Sequence, residues 1–201
     1  MGRLKMLTKI RIGLAMSMLA LVPVAHADCF KPSPNLVSMG KHYFSLFERD
    51  RYTWSAVEEK EKRALSEVIF TDWEGDYSVV ECFGTEKNPK EVTRTATVKA
   101  KFTDAMNGIV RGQISKQFVA EKRNTIEVLD MFDNRDLFTG KVSKNLIEGT
   151  QRRKQKIGPS NSRLLEHVYR IEVNGHKLVL THETYVNGYL AVTELFNLTR
   201  E

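Results

Sequence analysis

Residues 163–200 read RLLEHVYRIEVNGHKLVLTHETYVNGYLAVTELFNLTR. Three runs of alternating apolar and polar residues are separated by Asn174-Gly175 and Asn187-Gly188. A period of two marks strands with one buried face, and Asn-Gly suits the positive φ angles of a two-residue hairpin turn. The stretch therefore predicts a three-stranded antiparallel meander. Centring a two-residue loop on each Asn-Gly pair sets His167 opposite His182, and His182 opposite Thr193. That row shares a face with Val173, Ile171, Tyr169, Leu178, Leu180 and Leu195. The reverse face carries Glu166, Arg170, Glu172, Lys177, Glu183 and Glu194. Charges turn to water, because burying each one unpaired costs far more than a sheet contact returns. The two imidazoles are thus expected to point inward.

The same period extends upstream. In EVTRTATVKAKF (91–102), Val92, Ala96, Val98, Ala100 and Phe102 fall on one side. In IVRGQISKQFVA (109–120), Val110, Gly112, Ile114, Phe118 and Ala120 do the same. A two-residue turn at Asn107-Gly108 would set apolar against polar, so a three-residue loop pairing Phe102 with Gly112 is expected. Arg94 and Lys116 lie on the apolar sides of their strands, as inward counter-charges for an anionic ligand or as snorkelling side chains. Further runs at 69–83, 125–132, 136–147 and 147–157 bring the count to about nine. Serial short strands with hairpin turns predict a mainly β fold, an antiparallel up-and-down barrel of about 8–9 strands over 69–201.

Two short helices are expected before the barrel, within a segment (28–68) packed on it. Pro34 and Asn35 open the first, with Leu36, Met39, Tyr43, Leu46 and Phe47 on one face. Ser55 with Glu58 reads as a capping box for the second. Ahead of them, residues 1–27 have a basic start (Arg3, Lys5, Lys9, Arg11), an apolar middle, and small residues at Ala25 and Ala27. This is the pattern of a cleaved signal peptide, with a mature start at Asp28 and a periplasmic or secreted destination. No later stretch reaches the roughly 20 apolar residues needed to span a membrane. Four of the 31 Lys+Arg residues and none of the 25 Asp+Glu lie in that leader, so 27 stand against 25 in the remainder. A near-neutral balance gives no case for nucleic acid.

Cys29 and Cys82 are the two cysteines, and an isolated pair in an oxidising compartment predicts a disulfide. The segment QRRKQK (151–156) concentrates Arg152, Arg153, Lys154 and Lys156 as a surface basic patch, which suits an anionic surface or the solvated tip of a hairpin. No nucleophile–base–orienter set emerges from the spacing, and no phosphate-binding glycine loop or zinc-protease motif occurs. Two imidazoles fall short of the three or four ligands that zinc takes, so neither metal nor cofactor is expected.

Trp73-Glu74-Gly75-Asp76-Tyr77 opens the first strand. A secreted chain with such a Trp/Gly opening and serial hairpins resembles the lipocalin-like (calycin) barrels, though the Gly-x-Trp order is not kept and no Thr-Asp-Tyr motif follows. The resemblance implies a cup for a small apolar ligand. Together these readings predict an exported binding protein, not an enzyme, that holds a small apolar or amphiphilic molecule near His167, His182, Thr193, Tyr169, Arg94 and Lys116. The alternative is a cell-envelope interaction protein that uses the barrel as a scaffold.

Overall fold

The computed structural model describes residues 28–39, 69–105, 109–131, 137–142 and 145–201. One short helix, α1 (Pro34–Met39), precedes nine strands: β1 (Asp72–Thr85), β2 (Asn88–Ala105), β3 (Ile109–Phe118), β4 (Arg123–Met131), β5 (Leu137–Val142), β6 (Leu146–Lys156), β7 (Ser162–Asn174), β8 (Lys177–Val186) and β9 (Tyr189–Arg200). All pair antiparallel in one sheet of order β4-β3-β2-β1-β9-β8-β7-β6-β5. Successive strands are neighbours throughout, and the one non-sequential seam joins β1 to β9. The fold is an antiparallel half-barrel, curled but not closed among the described residues: β4 and β5 end the strand order instead of pairing. The leader, the continuation of the first expected helix and the second expected helix lie outside the described residues.

The curl can be measured from one contact. Adjacent strands stand about 4.8 Å apart, so β3 and β9, three steps apart, would be about 14 Å apart in a flat sheet. Lys116 of β3 nonetheless places its Nζ 2.9 Å from Glu194 Oε1 of β9. The concave face is a continuous apolar core that includes Trp73, Tyr77, Val98, Phe102, Ile114, Ile171, Leu178, Leu180, Phe196 and Leu198. Ile171, Leu178 and Leu180 are fully buried, so side chains fill this floor.

The hairpins hold most of the expected register. Phe102 pairs with Gly112 across the three-residue loop of β2–β3. At β8–β9 the loop is Asn187-Gly188, both with positive φ, and Val186 pairs with Tyr189. At β7–β8 the loop is one residue later than expected: Asn174 pairs with Lys177, and Gly175 takes the positive φ at the first central position. A glycine there is the signature of the II′ alternative. This moves every partner by two residues and leaves the faces unchanged.

A second departure does change a face. Between Thr184 and Tyr185 the β8–β9 register shifts by one, with Tyr185 opposite Leu190 but Thr184 opposite Val192. Ala191 is the extra residue of a β-bulge, and beyond it the alternation of β9 is inverted. Glu194, Phe196 and Leu198 turn to the concave side. Thr193 and Leu195 turn to the convex side, against expectation.

On the convex face, Val80, Tyr185 and Leu190 form a smaller cluster. Residues 28–33 run along it. Phe30 and Ser33 donate backbone hydrogen bonds to Leu190 and Gly188, and Leu190 donates one to Lys31. The Cys29–Cys82 disulfide, with Cα atoms 5.5 Å apart, fastens this strap as the pair of cysteines predicted. Ser33 then accepts from the Asn35 amide as the cap of α1, whose Leu36 lies against Gly188. A disulfide fits an extracellular or periplasmic protein, and no described helix is long and apolar enough to cross a membrane.

Candidate functional site

A line of polar side chains crosses one end of the concave face. It begins at the edge, where Lys116 Nζ donates to Glu127 Oε2 at 2.6 Å and to Glu194 Oε1 at 2.9 Å. The ammonium lies 4.0 Å above the Tyr77 ring, a cation–π position that also screens it from water. The Tyr77 hydroxyl donates to the same Glu194 oxygen at 2.5 Å. The other oxygen, Oε2, is 2.7 Å from His182 Nδ1, and His182 Nε2 is 3.1 Å from His167 Nδ1. Thr184 Oγ1 lies beside both rings, 3.2 Å from His167 Nδ1 and 3.4 Å from His182 Nε2. Tyr169 stacks on His182 with centroids 4.5 Å apart.

The charge states follow from the surroundings. Burial pushes the Glu194 carboxyl up, but the hydrogen bond and charge of His182, the Lys116 ammonium and the Tyr77 hydroxyl more than offset it. Glu194 therefore stays ionised well below the usual carboxylate range. Burial first, then the neighbouring Glu194 charge, holds the Tyr77 phenol far above its ordinary value. Burial, the charge of His182 and that of Arg153 bring His167 down from 6.5 to about 3, so its ring is neutral at neutral pH.

An ionised Glu194 fixes one hydrogen position: it accepts from His182 Nδ1–H. Across the 3.1 Å contact between His182 Nε2 and His167 Nδ1 one nitrogen donates and the other accepts, according to the tautomers of the two rings. The last nitrogen, His167 Nε2, is buried and without a partner. A buried unsatisfied polar atom carries a desolvation cost of about 1–3 kcal/mol. Among the described residues no group of three or more His, Cys, Asp or Glu is arranged to hold a metal ion.

Of the expected site residues, the structure brings His167, His182, Tyr169 and Lys116 together. The histidines are diagonal rather than opposite: His167 faces Thr184 and His182 faces Tyr169. Thr193 is not in the row. It lies on the convex face opposite Val80, because the bulge inverts β9. Arg94 has its charge met by Glu81 and, at 3.8 Å, by Glu121. Arg152 is not part of a surface patch; it is buried and paired with Glu166 at 2.7 Å, and Ser33 also bonds Glu166. Glu166 is therefore buried rather than solvated. Arg153, Lys154 and Lys156 are exposed as expected.

The central residue, Glu194, was missed by sequence reasoning, and so were Tyr77 and Glu127. A signal for Glu194 does exist. In β9 alone, Val192, Phe196 and Leu198 lie in phase with Glu194, a stronger apolar set than Leu195 and its neighbours. The chain matches no family model and no curated protein.

Proposed function

We propose that this chain is an exported binding protein that recognises a small, largely apolar molecule at the polar end of its concave face. One observation carries the reading: the Glu194–His182–His167 line ends in an inward nitrogen with no partner. A core needs no such line. Buried ion pairs can often be replaced by apolar packing at no loss of stability, so stability alone does not account for this one. Because Ile171, Leu178 and Leu180 are fully buried and fill the floor, the ligand of this reading sits on the rim at His167 rather than deep among the strands. Native mass spectrometry of protein purified from its own host tests the reading. A co-purified small mass, lost in His167→Phe, is the expected result; an unliganded protein under all gentle conditions would count against it.

A second reading, an envelope interaction protein with the half-barrel as scaffold, has its own support. The edge strand β4 leaves Ile126 72% and Val128 57% exposed on one face, a template for another chain. Cross-linking in envelope extracts, with Ile126→Lys/Val128→Lys as control, separates the two: a partner lost in the double variant favours the scaffold.

A further inference from the structure

We propose that Arg153 and His167 together form an oxyanion subsite at the open end of the concave face, which takes the carboxylate or phosphate group of a ligand. The inference rests on the binding reading above and gives the ligand its polar group.

The register supplies the geometry. Gln151 of β6 pairs with His167 of β7, and Arg153 lies two residues further along, on the same side of the pleat. Diagonal cross-strand neighbours of this kind are within reach of long side chains. Arg153 is exposed, and it makes no ion pair or hydrogen bond among the described residues. By contrast Arg94, Arg152 and Arg170 each meet a carboxylate. A guanidinium fork left open beside an unpartnered imidazole nitrogen suits a planar oxyanion, with two parallel N–H donors from the arginine and a third from the ring. A cation is disfavoured there by the arginine's own charge.

The polar line behind His167 makes the third donor available. When His167 Nδ1 accepts from His182 Nε2, the hydrogen of the neutral His167 ring sits on Nε2, the nitrogen without a partner, and can be donated to an oxyanion. The titratable and charged groups facing the pair are Arg153 from β6, Tyr169 from β7, Glu194 from β9 with Lys116 and Glu127 behind it, and Tyr77 from β1. Of the two cations, Lys116 is held by Glu127 and Glu194, whereas Arg153 meets no carboxylate among the described residues.

Calorimetric titration of the purified protein with benzoate, benzyl alcohol and inorganic phosphate tests this. Benzoate is expected to bind about tenfold or more tightly than benzyl alcohol, and Arg153→Gln to erase the difference while Arg153→Lys keeps part of it. In 15N spectra of the benzoate complex His167 Nε2 is protonated. His167→Gln, checked for fold by circular dichroism, binds benzoate more weakly than wild type. Phosphate binding above benzoate supports the subsite and makes phosphate the group it takes. Equal binding of benzoate and benzyl alcohol, or an Arg153→Gln variant indistinguishable from wild type, overturns the subsite but leaves the binding reading intact. No binding of any probe, together with no co-purified mass, removes both.

Discussion

At the residue scale, the interior polarity of this protein turns on Glu194. Its two oxygens serve three donors on three other strands: Tyr77 on β1, Lys116 on β3 and His182 on β8. Removing the carboxylate takes from the buried Lys116 ammonium one of its two carboxylate partners, leaving Glu127, and strands the end of the imidazole line. Glu194→Ala is therefore expected to cost about 3–5 kcal/mol, the range for breaking a buried pair from one side, measured by urea denaturation at pH 7. A loss below 1 kcal/mol would show that the network is not formed. His167 gives a prediction in pH. Its folded pKa is depressed from 6.5 to about 3, so between those values the unfolded chain binds a proton that the native protein does not. Stability then falls as the pH drops through that window, at up to about 1.4 kcal/mol per pH unit from this group. Glu194, also depressed, adds acid sensitivity only below its ordinary 4.5. Unfolding midpoints collected from pH 7 to pH 3.5 should decline less steeply in His167→Gln than in wild type. Parallel curves would mean that His167 titrates normally.

At the scale of elements, glycines discriminate between a seam that tolerates side chains and one that does not. At Gly75 on β1, an added Cβ would lie 2.1 Å from the backbone oxygen of Asn197 on β9. The obstacle is backbone, at the one seam that joins the beginning of the sheet to its end. Gly75→Ala is expected to destabilise by more than about 3 kcal/mol or to prevent folding. Gly175, at the β7–β8 turn, has φ +60 and nothing within 4 Å of a built Cβ. Asn visits that left-handed region readily, so Gly175→Asn should change stability by less than about 1 kcal/mol. Thermal melts of both variants test the pair, and equal effects would show the β1–β9 contact to be looser than described. Alternation and Asn-Gly turns announced β7 and β8 and both of their faces. They could not announce the face of β9, because one inserted residue, Ala191, reverses the parity of everything after it.

For the whole molecule, the strap and the curl determine how the half-barrel survives. Cys29 and Cys82 are 53 residues apart, and closing such a loop restricts the unfolded chain by about 4 kcal/mol in the chain-entropy model. The strap it holds covers Val80, Tyr185 and Leu190 and carries Ser33 to the buried Glu166–Arg152 pair. Reduction should lower the melting temperature by several degrees and bring out binding of an apolar dye, at a concentration of reductant that leaves a Cys29→Ala/Cys82→Ala variant unaffected. No shift on reduction would mean that the backbone bonds of residues 30–33 hold the strap unaided.

The sequence by itself determined the number of strands, their hairpin order, the inward faces of β7 and β8, and the pairing of the two cysteines. Each of these is written locally, in a period of two, in turn dipeptides, or in a cysteine count. Tertiary structure alone decided that, among the described residues, β4 and β5 end the sheet without pairing, that Glu194 faces inward, that Arg152 is buried while Arg153 is exposed, and that Lys116 spans the concavity. Those outcomes depend on how far a twisted sheet curls and on which residue a bulge inserts. Both are settled by contacts between strands far apart in the chain, which no single run of sequence records.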